Sequence, residues 1–191
     1  MRIVQRDKLS ATPWKNGGGE TREIACFPPG SSLDDFAWRL STATVAQDGA
    51  FSVFNGIDRR LYLLEGVGLN LHFSSGQTCQ LGTENHIDFR GEDPIDASLV
   101  HGPVTDFNIM VRRDKQRAHI EERSIKGTAR IDVPWIRAAL FVRSGQLHIS
   151  DMLSDGPLKA FDTLMLDDDH EKSVCVDGDA AIILIGFDPL S

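Results

Sequence analysis

Short segments of alternating apolar and polar residues recur along the whole chain, and this period-two pattern constrains the fold more than any other feature. In such a segment successive side chains point to opposite faces, as in a half-buried β-strand. Clusters of Gly, Pro, Asp and Asn separate the segments at intervals typical of sandwiches and barrels. The predicted strands are Arg22–Phe27, Trp38–Val45, Arg60–Leu64, Gly68–Phe73, Phe107–Arg112, Ala138–Val142, Gln146–Ile149 and Ala180–Phe187. The pattern therefore predicts an all-β protein.

The charged segment Asp114–Arg123 fits two interpretations, a helix and a polar edge strand, and both stay open. A weak internal repeat is also present. Leu61–Gly66 and then Gly68–Phe73 are expected to form a hairpin-like unit, which is echoed in the second half of the chain by Ala139–Gly145 and then Gln146–Ile149, and Phe107–Val111 is echoed by Ile182–Gly186. The repeat suggests two related β units.

Composition narrows the class of protein. Of 191 residues, 41% are hydrophobic and 25% charged, which excludes a disordered chain and a membrane protein. The charged start Met1–Lys8 does not resemble an export signal, and Cys26, Cys79 and Cys175 form no CxxC pair. We therefore expect a cytoplasmic protein with reduced thiols. Its net charge of −8 opposes attachment to nucleic acid or anionic lipid.

The stretch Trp14–Glu23 contains three consecutive glycines next to a cation, an amide, a hydroxyl and a carboxylate. Glycines let backbone N–H groups approach a ligand, so the stretch is either an anion-binding nest or a turn with a structural Trp14. No Gly-Lys-Ser/Thr or helix pattern follows, which excludes a Walker loop and a dinucleotide fingerprint.

A second candidate lies in Asp106–Arg113, where Asp106, Asn108, Met110 and Arg112 share one face of a strand. That face is either exposed to solvent or turned into a barrel, where Asn108 and Arg112 would orient a carboxylate or an amide ligand. Arg59 and Arg60 point to opposite faces of their strand, so only one of them can look into a given pocket.

Metal binding is not supported by the spacing of likely ligands. The six histidines are widely spread along the chain, so neither HxH nor HxxxH occurs. The acidic run Asp167–Glu171 is typical of a solvated turn. No G-x-S-x-G elbow supports a catalytic triad.

Several of these stretches, in the same order, resemble the HutD/Ves family. The resemblance covers most of residues 1–113 and rests on Trp14–Ile24, Phe36–Arg39, Phe51–Gly56, Leu63–Gly66 and Asp106–Met110. It implies a bicupin, in which two cupin-like jelly-roll β-barrels pack in one chain. We expect an N-terminal barrel at 1–113 and a C-terminal barrel at 114–191, with exchange of strands between the halves left open.

The same resemblance implies a cytoplasmic bacterial protein associated with histidine utilisation. Such a protein would restrain expression of the pathway by sensing an intermediate, urocanate or a formylated or formimino glutamate. Many cupins hold a metal through an HxH pair, a glutamate and a further histidine, and this sequence departs from that pattern. We therefore expect a metal-free protein without a cofactor that binds a small anionic ligand.

Five residues are expected to hold this ligand in the N-terminal barrel: Asn16, Thr21, Trp38, Arg59 and Asn108. Arg59 would pair with a carboxylate, while Asn16 and Asn108 would supply hydrogen bonds. Thr21 would add a hydroxyl and Trp38 an apolar wall.

Two other functions stay open at this point. One is an enzyme that acts on such an intermediate without metal, with Glu20, Asp106 and His101 as acid–base groups. The other is an interaction module that inhibits a protein partner. Whether the chain forms a homodimer is also left open.

Overall fold

A computed structural model describes residues 1–150, 152 and 156–190. Strands dominate this part of the chain, and a short 3-10 helix lies at Arg6–Lys8. The strands are β1 (Arg2–Val4), β2 (Thr12–Pro13), β3 (Gly19–Phe27), β4 (Trp38–Val45), β5 (Gly49–Ala50), β6 (Ile57–Glu65), β7 (Leu69–Phe73), β8 (Thr78–Leu81), β9 (His86–Arg90), β10 (Ile95–Leu99), β11 (Val104–Arg112), β12 (Gln116–Asp132), β13 (Arg137–Ile149), β14 (Leu158–Lys159), β15 (Thr163–Leu166) and β16 (Ser173–Pro189). The all-β prediction is confirmed. The described residues include no helix that is long and apolar enough to cross a membrane.

The chain divides into two compact units. The N-terminal unit is Ser10–Lys115, and the C-terminal unit combines Gln116–Ser191 with Met1–Leu9. This division differs from the predicted boundary after residue 113 mainly at the start of the chain. Met1–Leu9 lies with the C-terminal unit because β1 pairs antiparallel with β15, and Arg2 stands opposite Met165.

Two antiparallel sheets form the N-terminal unit. The larger sheet has the strand order β2-β3-β4-β11-β6-β9, and the smaller has the order β5-β10-β7-β8. Leu61 and Leu63 of the larger sheet share one buried cluster with Leu69 and Leu71 of the smaller sheet. The interior of this unit therefore lies between the two sheets, as period-two alternation requires.

The C-terminal unit is built on the strand order β1-β15-β13-β16-β12, with β14 paired to β13. Strand β12 covers most of the charged segment Asp114–Arg123, so the edge-strand interpretation is the correct one. Each residue of β12 pairs with a residue of β16, from Gln116 opposite Pro189 to Asp132 opposite Ser173. This long ladder outweighs the helix-like charge pattern.

The internal repeat has a structural counterpart. In the pair β6–β11, Leu64 is an extra residue opposite the step from Thr105 to Asp106. In the pair β13–β16, Val142 stands opposite Ile182 and Ser144 opposite Ala181. Arg143 is therefore the extra residue in β13. A bulge at the corresponding place in both pairs marks them as equivalent.

Two details of the predicted repeat were wrong. Leu61–Gly66 and Gly68–Phe73 do not form a hairpin, because β6 pairs with β9 and β11 whereas β7 pairs with β8 and β10. When the two strand pairs are aligned at their bulges, Asn108 of β11 also corresponds to Leu184 of β16. The repeat in the sequence instead matches Asn108 with Ile183. Local similarity shows that two strands are related but does not specify which partners they choose.

Candidate functional site

The interior face of the larger N-terminal sheet carries a row of polar side chains. In the register of the sheet, Asn108 of β11 stands between Ser41 of β4 and Leu61 of β6. Residues directly opposite each other in neighbouring strands project to the same face. Because Leu61 belongs to the interior cluster, Asn108 faces the interior too.

The same parity places two charged groups on this face. Asp106 stands between Ala43 and the interior residue Leu63. Arg59 lies two residues before Leu61 on β6, and therefore on the same face of that strand. Arg59, Asp106 and Asn108 are called the interior polar cluster below.

This cluster is almost inaccessible to solvent. The exposed fraction is 6% for Arg59, 2% for Asp106 and 9% for Asn108. The buried core residues of the facing sheet are apolar: Leu69, Leu71, Leu81, Ile95 and Ala97. Burying charged and amide groups in such surroundings costs free energy unless partners compensate them.

Arg59 is held mainly by aromatic rings. Its guanidinium carbon lies 4.8 Å from the ring centre of Phe89, 5.2 Å from that of Phe51 and 5.6 Å from that of Phe54. Its Nη1 donates a long hydrogen bond of 3.4 Å to the Ser52 carbonyl. Its Nε has no hydrogen-bond partner among the described residues. Burial lowers the pKa of Arg59 to about 10, which leaves the guanidinium charged at neutral pH.

Asp106 is the counter-charge of Arg59. Burial raises the pKa of the Asp106 carboxyl to about 7, although the charge on Arg59 opposes this shift. Within the described part of the chain, Oδ1 of Asp106 and Oδ1 of Asn108 have no hydrogen-bond partner. An unsatisfied buried polar atom costs about 1–3 kcal/mol, so the three such atoms on this face need polar partners, from ordered water or from a ligand.

A second set of polar contacts flanks the cluster on β3 and β4. Arg39 Nε donates to Glu23 Oε2 at 2.7 Å, and Arg39 Nη1 donates to Ser41 Oγ at 3.4 Å. Arg39 pairs in register with Met110 and Ser41 with Asn108, so both share the face of the interior polar cluster. Arg39, Ser41 and Glu23 are not among the site residues predicted from the sequence. The alternation of polar and apolar residues on β3 and β4 could have indicated that these three share a face. Only the strand register shows that this face is the interior one.

Three of the five predicted site residues lie on this face. Thr21 of β3 pairs with Ala43, which in turn pairs with Asp106, so Thr21 belongs to the same row as Asp106. Its Oγ1 accepts a hydrogen bond of 2.8 Å from Trp14 Nε1. The structure thus brings Thr21 to the face that carries the interior polar cluster.

Trp38 lies on the other face. It pairs with Val111, whereas the next residues along the two strands, Arg39 and Met110, pair with each other on the interior face. Successive residues of a strand face opposite sides, so Trp38 and Val111 face away from the interior. The Trp38 ring stacks on Phe27 with the centroids 5.9 Å apart. The structure therefore does not place Trp38 as a wall of the interior polar cluster.

Asn16 is exposed and shapes the glycine-rich turn. Its Oδ1 accepts a hydrogen bond of 3.0 Å from the Gly18 N–H, and Gly17 has a positive φ of 71°. A Cβ on Gly19 would lie 2.3 Å from the Thr44 carbonyl oxygen, so a side chain at this position would collide with backbone. Of the two interpretations of this stretch, the structure favours the turn.

The other acid–base candidates do not join Asp106. Glu20 pairs with Arg22 at 2.5 Å and stands in register with Thr44, on the face opposite Asp106. His101 is exposed in the loop after β10. Asp106 is therefore the one member of the predicted trio on the interior face.

The donor set of this unit does not fit the metal site of many cupins. Across residues 1–150, 152 and 156–190, no three His, Cys, Asp or Glu side chains cluster closely enough to hold a metal ion. The interior polar cluster offers a guanidinium, an amide and one carboxylate, and a guanidinium repels a cation.

A comparison with protein families decides where the chain belongs. The HutD family model matches residues 6–184, nearly the whole chain. The chain belongs to the HutD family. The Ves proteins of Citrobacter koseri and Cronobacter sakazakii are 41% and 36% identical to it, over 59% and 80% of this chain and 59% and 82% of theirs. An uncharacterized 21.2 kDa protein in the hutC 3′ region of Pseudomonas putida is 31% identical, over 78% of this chain and 77% of its own.

Solved structures agree with this assignment. HutD from Pseudomonas fluorescens, solved in a formate condition, superposes with a TM-score of 0.85 and 26% identity, covering 100% of this chain and 99% of that one. The bacterial pirin YhhW from Escherichia coli, in complex with nickel(II), gives a TM-score of 0.71 at 12% identity and covers 99% of both chains. At that identity the likeness concerns the fold alone, which is the predicted bicupin.

Proposed function

We propose that the N-terminal unit binds a small carboxylate intermediate of histidine degradation, and that its occupancy restrains expression of histidine utilisation in the cytoplasm. The ligand would be urocanate or a formylated or formimino glutamate. Arg59 would pair with the carboxylate, and Asn108 would hold it by a hydrogen bond. Thr21 would line the same face.

The unsatisfied interior polar cluster carries this proposal. Nε of Arg59 is a buried donor with no hydrogen-bond partner among the described residues, and a carboxylate is the acceptor that suits a guanidinium best. The three aromatic rings around Arg59 limit the access of water to the pair, which strengthens its electrostatic attraction. HutD membership and the relative in the hutC 3′ region support histidine degradation as the source of the ligand.

A calorimetric titration tests the proposal. Chelator-treated protein is titrated with histidine, urocanate, formiminoglutamate, N-formylglutamate, glutamate and formate. We expect saturable binding of one intermediate and none of histidine. If folded protein binds none of the six compounds, the proposal is wrong.

Variants then test the residues. Arg59→Ala and Asn108→Ala should each weaken binding at least tenfold, because each removes a group that contacts the ligand. Arg60→Ala is the matched control, since Arg60 is the next residue, faces the other way and pairs with Asp88 at 2.6 Å. Unchanged affinity in both Arg59→Ala and Asn108→Ala would refute the site.

One observation also favours a second candidate, turnover of the ligand. A carboxyl with a pKa near 7 is suited to transfer protons at neutral pH, and Asp106 has such a pKa. The same incubations are therefore followed by chromatography. Product from urocanate or N-formylglutamate with wild-type protein but not with Asp106→Asn would establish an enzyme, and a sustained lack of product would dismiss it.

A further inference from the structure

Asp106 and Arg59 are buried groups of opposite charge, and a bound anion must disturb the electrostatic interaction between them. With Asp106 ionised, the pair is neutral overall, and both members are buried. A carboxylate that binds Arg59 would then place two negative charges beside one positive charge in a poorly solvated interior. Such an arrangement is strongly unfavourable at low dielectric.

We propose that Asp106 is itself a ligand-binding residue, which takes up one proton from solvent when the carboxylate binds and donates it as a hydrogen bond to the ligand. This inference rests on the proposed function. The reaction balances, because one proton from solvent joins the Asp106 carboxylate and one anion joins the site, and the net charge of the interior is unchanged. No bond of the ligand breaks.

The geometry supplies the donor position. Oδ1 of Asp106 is buried and has no hydrogen-bond partner among the residues described, so its proton would be available to a ligand. On the same sheet face, Asp106 and Asn108 are separated by one residue, and Arg59 follows on the neighbouring strand. A protonated carboxyl, an amide and a guanidinium together provide donors on several sides of one carboxylate. A raised pKa of about 7 for Asp106 makes proton uptake accessible near neutral pH.

The other charged and titratable groups on the larger sheet do not replace Asp106 in this role. On β3 and β4, Glu23 and Arg39 already form an ion pair at 2.7 Å. Burial raises the pKa of the Cys26 thiol, which keeps it neutral around pH 7. On β6, Leu63 stands opposite Asp106, and the charged residue on the same face of the strand is Arg59.

The smaller sheet presents one titratable side chain among its described interior positions. Cys79 of β8 stands opposite Leu71 and therefore shares its face. The Cys79 Sγ accepts a hydrogen bond of 3.2 Å from Gln77 Nε2. The buried core residues of this sheet are apolar, so within the described part of the unit Asp106 is the interior carboxyl that interacts with the charge on Arg59 and can take up the proton.

Calorimetry in two buffers measures the proton directly. N-formylglutamate and formate are suitable probes because their carboxyl groups stay ionised near neutral pH. The protein is titrated at pH 7.5 in HEPES and in Tris, whose enthalpies of ionisation differ. We expect uptake of between half a proton and one proton per ligand, and an affinity that falls about tenfold per pH unit above the pKa of Asp106.

Two variants locate the proton. Asp106→Asn should bind without proton uptake and with an affinity independent of pH between 6.5 and 8.5. Glu23→Gln, the matched control on β3, should keep the proton uptake of the wild type.

The outcomes separate this inference from the proposed function. Saturable binding without proton uptake in the wild type would overturn the inference and leave the proposed function standing. If no probe binds to the folded protein, both the inference and the proposed function are wrong. The wild-type measurement in two buffers decides the matter even if Asp106→Asn fails to fold.

Discussion

The central strand pair of the N-terminal unit can be matched position by position with that of the C-terminal unit. The bulges at Leu64 and Arg143 set the alignment, and the interior positions then differ in chemistry. The positions equivalent to Arg59, Asp106 and Asn108 are occupied in the C-terminal unit by Ala138, Ile182 and Leu184, respectively. These three belong to one apolar cluster, and each has an exposed fraction of at most 1%.

The difference shows that the fold does not need polar groups inside. The C-terminal unit closes its interior with aliphatic side chains and with Trp135, whose ring lies against Gly186. The N-terminal unit lacks this apolar packing at three neighbouring positions. Sites in enzymes and binding proteins commonly carry such a cost, so the comparison favours the N-terminal unit for the binding role.

The largest effect is expected when a charge is introduced into the apolar unit. Leu184 is fully buried and stands between Leu140 and Glu121, and Glu121 already pairs with Arg123, so Leu184→Asp would bury a second acid beside an ion pair that is already formed. We expect a loss of about 4 kcal/mol or more in the free energy of unfolding, measured in urea. Leu184→Met is the control and should cost less than about 1.5 kcal/mol. Equal losses in the two variants would show that this interior tolerates charge.

The second effect concerns the contact between Trp135 and Gly186. A Cβ on Gly186 would lie 1.9 Å from the Trp135 ring, which also stacks on His119. Gly186→Ala should therefore cost about 2–3 kcal/mol by overpacking. Gly49→Ala, where a Cβ meets nothing within 4 Å, should change stability by less than about 0.5 kcal/mol. Similar values for both variants would refute a packing role for Gly186.

The third test uses pH to separate the two interiors. The folded pKa of Asp106 is raised to about 7, above its value in the unfolded chain, so between pH 4 and 7 the folded state binds more protons. Stability relative to Asp106→Asn should therefore fall as pH rises through this window, by up to about 1.4 kcal/mol per pH unit, and level off above it. Urea unfolding of both proteins at five pH values measures the difference. A difference that rises with pH would mean that Asp106 has a lowered pKa.

A fourth test converts one N-terminal position into its C-terminal counterpart. Asn108→Leu removes a buried unsatisfied oxygen, so we expect the free energy of unfolding to change by less than about 1 kcal/mol or to rise. Binding of the ligand found by calorimetry should weaken at least tenfold. A loss of stability well beyond that range in urea unfolding would instead show that the amide supports the fold.

The smallest effect is expected at the exposed neighbour of Arg59. Arg60 pairs with Asp88 through two hydrogen bonds of 2.6 Å, and Asp88 is largely exposed to solvent. Arg60→Ala should cost less than about 1 kcal/mol, since exposed ion pairs contribute little. A larger cost in urea unfolding would show that this outer pair supports the N-terminal unit more than its exposure suggests.

The sequence predicted the segments that form β3, β4, β6, β7, β11, β13 and β16, but it missed short strands such as β5, β8 and β14 and did not specify which strands pair. Period-two alternation located β4 at Trp38–Val45, with the bounds that the structure shows. It also placed Asp106 and Asn108 on one face, and left open whether that face was exposed or interior. The burial of both residues settles this, because the smaller sheet covers them, and that sheet forms by pairing segments distant in sequence.

The misplacement of Trp38 has the same origin. Trp38 and Arg39 necessarily face opposite sides of β4, but only the register with β11 tells which side is the interior. Asn16 was predicted as a ligand-binding residue because of its amide group. In the structure the amide oxygen accepts a hydrogen bond from the Gly18 N–H within the local turn. Short polar side chains often satisfy nearby backbone in this way, so their chemistry alone is weak evidence for a ligand.

The pairing of β1 with β15 has a consequence for synthesis. Arg2 emerges from the ribosome long before Met165, its partner in the sheet, and the whole N-terminal unit is made in between. The residues Ser10–Lys115 can therefore complete their own sheets before β15, the partner of β1, has been synthesised. A ribosome stalled just before Thr163 should carry a folded N-terminal unit, while β1, which belongs to the C-terminal unit, is still unpaired and open to proteases.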